Sequence, residues 1–159
     1  MLRTISTSNP NTGRANQIPA GGPITQTLIG LAHVSKADRV LATGSLGTEI
    51  LLELHRRGCT RVAATGSCGL PRGQYDVAVV GWRGDSLKAL ETTLGWLVHF
   101  LGPKGVLAVW ASRDEGAPDR KLRSMLQRLG FRVEAGTSCE NGLAIVARRL
   151  ESVPATMAA

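Results

Sequence analysis

The residues best placed to do chemistry lie in the stretch VLATGSLGT, residues 40–48. An apolar segment runs into Gly44 and Gly47, and a helical pattern follows at once. Free backbone N–H groups at the start of a helix attract anions, and Ser45 and Thr48 add hydroxyl groups. No Gly-Lys-Ser/Thr follows, which excludes a Walker-type phosphate loop, and the spacing differs from the dinucleotide motif Gly-x-Gly-x-x-Gly. The stretch therefore predicts either an anion- or nucleotide-binding turn or a tight connection without a ligand.

A second group of polar and aromatic residues follows the next two apolar segments. These residues are Trp82, Arg83 and Asp85, then Trp110, Ser112, Arg113 and Asp114. Because the carboxyl ends of parallel strands meet at one edge of a sheet, we expect both sets on the ligand-facing rim. Trp110 with an arginine would stack on and pair with a nucleotide there, or Trp110 would simply pack. No cysteine nucleophile or histidine base stands among them, so no catalytic residue is assigned. Asp85 fits a helix cap better than a general base, and Asp76 fits a structural role at the start of its strand.

Basic residues dominate the charge of the chain. Its formal net charge is +7 and its isoelectric point is about 10.2. Such a surface favours anionic partners, either nucleic acid or a phosphorylated ligand. Four of these cations fall on one predicted helix, namely Arg120, Lys121, Arg123 and Arg128. Arg148 and Arg149 extend the same basic flank. They form either a solvated helix face or a patch that follows phosphates, whose affinity would fall steeply with salt.

The thiols and histidines do not form a recognisable metal site. Cys59, Cys68 and Cys139 are scattered, and no CxxC motif or metal-like His spacing is present. An odd, scattered set predicts free thiols in a reducing compartment, hence a cytoplasmic location. No apolar run approaches the ~18 residues of a membrane span, so no membrane contact is expected.

The pattern of apolar residues divides the chain into a flexible basic arm (1–23), one α/β domain (24–150) and a tail (151–159). Helical periodicity predicts helices at 24–35, 48–57, 86–101 and 119–129, the third capped by Asp85 or Ser86 and stopped by Gly102-Pro103. Apolar or alternating segments predict strands at 39–43, 60–65, 75–80, 105–110, 131–135 and 143–147, the last two joined by Glu140-Asn141-Gly142. The alternation predicts a three-layer, mostly parallel, Rossmann-like sheet that ends in an antiparallel hairpin.

The order of three motifs resembles the class I S-adenosylmethionine-dependent methyltransferase family. They are VLATGSLGT, QYDVAVVGW, and the series LVHFLGPKGVLAVWAS, LRSMLQRLGFRV and GLAIVARR. The resemblance covers about residues 24–150 and implies S-adenosylmethionine as the cofactor. It implies a cofactor site formed by Gly44, Ser45, Gly47, Thr48, Thr65, Asp76 and Trp82.

The chain departs from the family pattern where the cofactor would be held. The acid of the family's first motif falls at Ala42, and its second glycine falls at Leu46. The acid that binds the ribose hydroxyls would fall near Ala64 or Thr65. The connection GSCGLPRGQ is also too short for the family's next helix and edge strand, so the sheet is shortened there. Because a charge-assisted hydrogen bond contributes roughly 1.5–3 kcal/mol, these losses would weaken cofactor binding by two or more decades.

Three functions are therefore open. The departures favour a methyltransferase-fold protein that has lost ordinary S-adenosylmethionine binding and acts as a non-catalytic binding or regulatory protein. The first alternative is a small methyltransferase with an atypical pocket, and the second is a phosphate- or nucleotide-binding module that uses the Gly44–Thr48 turn. The exposed edge of the second strand predicts a homo-oligomer, or a partner subunit that completes the pocket.

Overall fold

The computed structural model describes residues 23–64, 73–83, 86–112, 119–140 and 142–150. Within these ranges the chain forms four α-helices, one 3-10 helix and six strands. In chain order they are α1 (Pro23–Leu31), β1 (Val40–Gly44), α2 (Gly47–Arg56), β2 (Val62–Ala64), β3 (Tyr75–Trp82), α3 (Leu87–Leu97), the 3-10 helix (Val98–Phe100), β4 (Leu101–Ser112), α4 (Asp119–Arg128), β5 (Phe131–Cys139) and β6 (Gly142–Arg149). Most of the predicted arm, and the predicted tail, lie outside the described residues.

The six strands form one sheet in the order β2-β1-β3-β4-β6-β5. Strands β1 to β4 pair in parallel, and β6 lies antiparallel between β4 and β5. The predicted fold class is confirmed: the molecule is an α/β protein with a mostly parallel sheet and an antiparallel hairpin at its end.

Alternation along the strands divides the core between two faces of the sheet. On β3, Val77 and Val79 face the layer of α1 and α2, while Ala78 and Val80 face the layer of α3 and α4. Helix α3 contributes Leu90, Leu94 and Leu97, which are almost completely buried. Ser86 caps this helix as predicted, because its Oγ accepts a hydrogen bond from Ala89 N at 3.1 Å. Asp85, the other predicted cap, lies outside the described residues.

The first helix is shorter than predicted, because His33 takes a left-handed conformation with φ 52°. The amide of Val34 donates a hydrogen bond to Ile29 O at 3.4 Å, and the amide of His33 donates to Gly30 O at 3.1 Å. This pattern ends a helix, and glycine usually provides it. The sequence offers no glycine at this position, so the predicted helix ran on to residue 35.

The fourth strand begins earlier than predicted, at Leu101 rather than at Gly105. Helix α3 has already ended at Leu97, so Gly102-Pro103 lies inside a strand and does not terminate the helix. Leu101 pairs with Tyr75, and the register then shifts so that Val106 pairs with Val77. A glycine-proline segment is tolerated here because the ladder is irregular at the same place.

The short second strand lies at one edge of the sheet, as predicted, and β5 lies at the other. No helix of the described residues is long and apolar enough to cross a membrane.

Candidate functional site

The candidate site is the carboxyl edge of the sheet between β1 and β3. The chain leaves β1 toward β2 on one side, whereas β3 leads to β4 on the other. In open α/β sheets, ligands bind at this reversal of strand order. Gly44 and Gly81 are paired across the two strands at this point. The turn 44–48 and the end of β3 therefore meet, as the sequence predicted.

Gly44 allows the two strands to approach closely. Its φ is +91°, and a Cβ atom built there would lie 2.1 Å from Gly81 O. A side chain at this position would meet backbone, which has no room to move aside. The glycine is therefore required by the fold itself.

The side chain of Ser45 connects the turn to the end of β3 through two hydrogen bonds. Its hydroxyl donates to Gly81 O at 3.2 Å and accepts from Arg83 N at 3.0 Å. Ser45 was predicted to be a cofactor residue, but its hydroxyl already has a structural role.

Leu46 packs across the point where the strand order reverses. The residue is 5% exposed, and a Cβ atom at Gly81 would lie 2.6–2.8 Å from its Cβ, Cγ and Cδ1. Leu46 is also the N-cap of α2, yet it provides no side-chain hydrogen bond. The position that aligns with the family's second glycine is therefore filled by a packed aliphatic side chain.

Helix α2 starts immediately after Leu46. Gly47 is buried, Thr48 is exposed, and Glu49 is half-buried in the first turn. A carboxylate here stabilises the start of a helix by about 0.3–1 kcal/mol. The same charge opposes a phosphate at this end of the helix, which disfavours the phosphate-binding alternative.

Apolar side chains stand at two positions where the family pattern has acids. Ala42 is fully buried and pairs with Ala64 on β2 and Val79 on β3. Ala64, at the end of β2, is half-buried. Thr65, predicted as a cofactor residue, lies outside the described residues. Ala42 and Ala64 offer no side-chain acceptor for ribose hydroxyls.

Asp76 does not lie with the other predicted cofactor residues. It stands at the amino end of β3, the opposite end from Gly81. Its Oδ2 accepts a hydrogen bond from Arg39 N at 2.8 Å, and Arg39 O in turn accepts from Asp76 N at 2.8 Å. These contacts support the structural role.

Trp82 ends β3 and Arg83 follows it, and both side chains carry hydrogen-bond donors at the carboxyl edge. Trp82 is half-buried, and its indole Nε1 is buried with no acceptor in the described part of the chain. Arg83 places its guanidinium over the Trp110 ring, 5.4 Å from the centroid. Trp110 is itself buried and donates from Nε1 to Cys139 O at 2.7 Å. Arg83 and Trp110 thus lie together at this edge, whereas Arg113 and Asp114 lie outside the described residues.

The predicted basic surface is partly neutralised. Arg123 pairs with Asp119 at 2.5 Å, and Arg128 pairs with Glu91 of α3 at 2.7 Å. Arg120 and Lys121 are exposed, and no ion pair engages them within the described ranges. Lys88 on α3 was missed by the sequence analysis, because only the packing of α3 on α4 places it near Lys121.

Arg148 and Arg149 do not extend this surface as free cations. Arg148 Nε pairs with Glu134 at 3.1 Å, and Arg149 Nη1 donates to Leu101 O at 2.6 Å and to Val98 O at 3.1 Å. The hydrogen bond from Arg148 holds the pKa of Glu134 below its ordinary value, and Arg132 adds to this effect.

Other titratable groups of the described residues do not form a recognisable reaction centre. No three His, Cys, Asp or Glu side chains in these ranges gather as a metal site would require. Burial raises the pKa of the Cys59 thiol, and Asp38 adds to this effect, so at neutral pH the thiol is protonated. A protonated thiol is a poor nucleophile.

Comparisons with known proteins identify the fold of the chain but not its activity. No protein-family model matches the chain, and no curated protein matches it. One similar structure is the 1,6-didemethyltoxoflavin-N1-methyltransferase of Burkholderia thailandensis, which was solved with S-adenosylhomocysteine. The two structures match with a TM-score of 0.62 at 13% sequence identity, over 88% of this chain and 83% of that one. A SAM-dependent methyltransferase of Aquifex aeolicus gives 0.60 at 13% identity, over 91% of this chain and 100% of that one.

A third similar structure carries a different name. The [4+2]-cyclase SpnF matches with a TM-score of 0.56 at 13% identity, over 80% of each chain. At such identities the likeness concerns the fold alone. The chain has the class I S-adenosylmethionine-dependent methyltransferase fold, with six strands and four helices in its described part.

Proposed function

We propose that this chain is a methyltransferase-fold protein that does not hold S-adenosylmethionine in the ordinary way and acts as a non-catalytic binding or regulatory protein. The observation that carries the proposal is Leu46, which packs on Gly81 where the strand order reverses. A cofactor that approaches the backbone here would have to displace a buried side chain. Burying a leucine contributes about 1.5–3 kcal/mol, so its displacement would cost a comparable amount.

The loss of acidic groups adds to the effect of Leu46. Ala42 and Ala64 cannot accept hydrogen bonds from ribose or amino groups, and each charge-assisted bond contributes roughly 1.5–3 kcal/mol. At ~1.4 kcal/mol per decade of affinity, one lost bond and one displaced leucine together weaken binding by about two to four decades. A micromolar Kd would then rise to between about 0.1 and 10 mM.

The fold itself does not require methyl transfer. A structure that is similar to this chain is described as a [4+2]-cyclase, so the same architecture serves more than one activity. The basic surface on α4 supports a binding role, because Arg120 and Lys121 stay exposed and unpaired among the described residues.

One observation favours a second candidate, a small methyltransferase with an atypical pocket. The buried Trp82 Nε1 has no acceptor in the described part of the chain. A buried donor without a partner costs about 1–3 kcal/mol, which a bound ligand with an acceptor atom would recover. Trp82 also lies at the edge where ligands of such sheets bind.

Titration with S-adenosylhomocysteine and S-adenosylmethionine separates the two candidates. We expect calorimetry to give a Kd of about 0.1 mM or weaker for both ligands. Binding tighter than ~10 μM, equivalent to about −7 kcal/mol, would contradict the proposal. At ~100 times that Kd, bound ligand would stabilise the protein by about 2.7 kcal/mol, which a thermal shift detects.

The matched control for this titration is Thr48→Glu. Thr48 is exposed in the first turn of α2, where an acid is favourable for the helix, so the variant should fold. If the wild type binds and T48E does not, the ligand lies at the turn and the methyltransferase candidate is supported. Gly44 is unsuitable for this purpose, because any side chain there would meet Gly81 O.

A further inference from the structure

A groove between α3 and α4 combines an apolar floor with a basic rim. It encloses about 440 Å³ on the face of the sheet opposite α1 and α2. Its lining includes Leu87, Lys88 and Glu91 from α3, and Lys121, Met125 and Arg128 from α4.

The floor of the groove is continuous with the core. Met125 is 1% exposed, and Leu87 is half-buried against the same cluster of apolar side chains. The ion pair between Arg128 and Glu91 joins the two helices across the groove at 2.7 Å. The groove is therefore formed by two helices that pack on the same apolar cluster, not by a loop.

The rim of the groove carries an unbalanced positive charge. Arg128 is neutralised by Glu91, whereas Lys88 and Lys121 are exposed and have no ion pair within the described ranges. Arg120, the residue before Lys121, is also exposed but does not line the groove. A partner that fills this groove must therefore bring negative charge to the rim and apolar atoms to the floor.

We propose that the α3–α4 groove docks an acidic amphipathic segment of a partner protein. An aliphatic side chain of that segment would rest on Leu87, which covers the buried Met125, and its carboxylates would lie beside Lys88 and Lys121. An amphipathic helix laid in a groove with periodic apolar anchors is a common mode of peptide recognition. The inference names the partner class of the binding role proposed above and rests on that role.

The groove fits nucleic acid less well. Proteins that bind single strands stack bases on aromatic side chains, and none of the described lining residues is aromatic. A phosphate track also needs several uncompensated cations in succession, whereas Arg123 and Arg128 are both paired. Two lysines around an apolar floor suit carboxylates that flank a leucine-like side chain.

Amide NMR of the full ¹⁵N-labelled chain tests this inference. The probe is a synthetic peptide of about 15 residues, with leucine at every third or fourth position and glutamate elsewhere, a length at which a helix is marginally stable. A second peptide has serine in place of each leucine, and a third probe is a single-stranded DNA of about 20 nucleotides. We expect the leucine peptide to shift amides of residues 87–91 and 121–128, and the serine peptide to bind more weakly.

Two charge-matched variants decide whether the contact is specific. K88E/K121E should weaken binding of the leucine peptide by about tenfold or more, or ~1.4 kcal/mol. K36E/R61E lowers the net charge equally at loops that precede β1 and β2, and should leave binding unchanged. Both pairs change exposed residues, so folding should be retained, and dispersed amide spectra would show it.

Three results would overturn the inference. One is the absence of shifts at the groove with the leucine peptide, and another is equal weakening by both double variants, which would mean non-specific attraction. The third is stronger binding of the DNA at the same amides, which would make the surface a nucleic-acid site. These results are independent of the S-adenosylhomocysteine titration, so failure of the groove and failure of the proposed loss of cofactor binding remain distinguishable.

Discussion

Substituting Gly81 by alanine tests the contact with Leu46 most directly. The added methyl group would lie 2.6–2.8 Å from three atoms of Leu46, closer than carbon atoms approach in proteins. Overpacking of this kind costs typically about 1–3 kcal/mol. Replacing glycine by alanine also lowers the entropy of the unfolded chain, which stabilises by about 0.4–1 kcal/mol. The expected net loss for G81A is therefore roughly 0–2.6 kcal/mol.

The variant L46G supplies the second arm of a double-mutant cycle. Alanine would not do, because the Leu46 Cβ itself is one of the three close atoms. Glycine is acceptable at an N-cap, and the main loss is the buried side chain, about 2–5 kcal/mol. In the L46G background the methyl group at position 81 has space, so G81A should become neutral or slightly stabilising. The coupling between the two sites should then equal the overpacking cost, about 1–3 kcal/mol.

Urea unfolding of the four proteins, followed by circular dichroism, measures this coupling. Gly30→Ala is the control, because nothing lies within 4 Å of a Cβ there and the residue is in helix α1. It should stabilise the protein by up to about 1 kcal/mol. If G81A were as benign as G30A, or if its cost were unchanged without the Leu46 side chain, the packing that underlies the proposed loss of cofactor binding would be refuted.

Three further predictions concern other parts of the molecule. Gly44→Ala should lower the free energy of unfolding by more than ~3 kcal/mol, because its Cβ would meet Gly81 O and its φ of +91° strains an alanine; a urea midpoint close to that of the wild type would contradict this. Because the pKa of Glu134 is lowered in the native state, its carboxylate stabilises the protein above the ordinary pKa of 4.5, and this contribution is lost as pH falls through the native pKa. Since the side chain is partly exposed, E134Q should reduce the fall in the free energy of unfolding at acid pH by less than about 1 kcal/mol, as measured by urea unfolding at several pH values. Burial raises the pKa of the Cys59 thiol above its ordinary value of 9.0. The contribution of the protonated thiol to the free energy of unfolding is therefore present below pH 9.0 and is lost as pH rises through the native pKa. With Cys68 and Cys139 replaced by serine, Cys59 should react with iodoacetamide at pH 8 far more slowly in the native than in the unfolded chain, and equal rates would contradict its burial.

The order of helices and strands was predictable because each element carries its own periodicity. The leucines of α3 recur every three or four residues, and the segment at β3 is almost continuously apolar. The errors fell where a local signal was misleading or missing. His33 ends α1 without glycine, and Gly102-Pro103 resembles a helix stop but lies in an irregular strand pair.

The candidate site was predictable in composition but not in its contacts. The missing acids at Ala42 and Ala64 are read directly from an alignment of motifs. The close approach of Gly44 to Gly81, and of Leu46 to the same glycine, depends on the register of β1 against β3. That register joins residues far apart in the chain, and no local pattern specifies it. The ion pair of Arg128 with Glu91 depends in the same way on how α4 packs on α3.

Gly44, Gly47 and Gly81, the glycines at and beside the turn, differ in what they indicate about a ligand. Gly44 is explained by the approach of β1 to β3, and Gly81 by the packing of the Leu46 side chain, so neither glycine by itself indicates cofactor binding. Gly47 is different: it is buried, yet a Cβ there would make only ordinary contact, with Ala42 O at 3.9 Å. Since no described neighbour excludes a methyl group at position 47, G47A should leave the free energy of unfolding within ~0.5 kcal/mol of the wild type or raise it. A stable G47A that lost binding of S-adenosylhomocysteine shown by the wild type would mean that this glycine serves a ligand, and would favour the methyltransferase candidate. A stable G47A beside a wild type that binds nothing would leave Gly47 without a function in the pocket, as the proposed loss of ordinary cofactor binding requires.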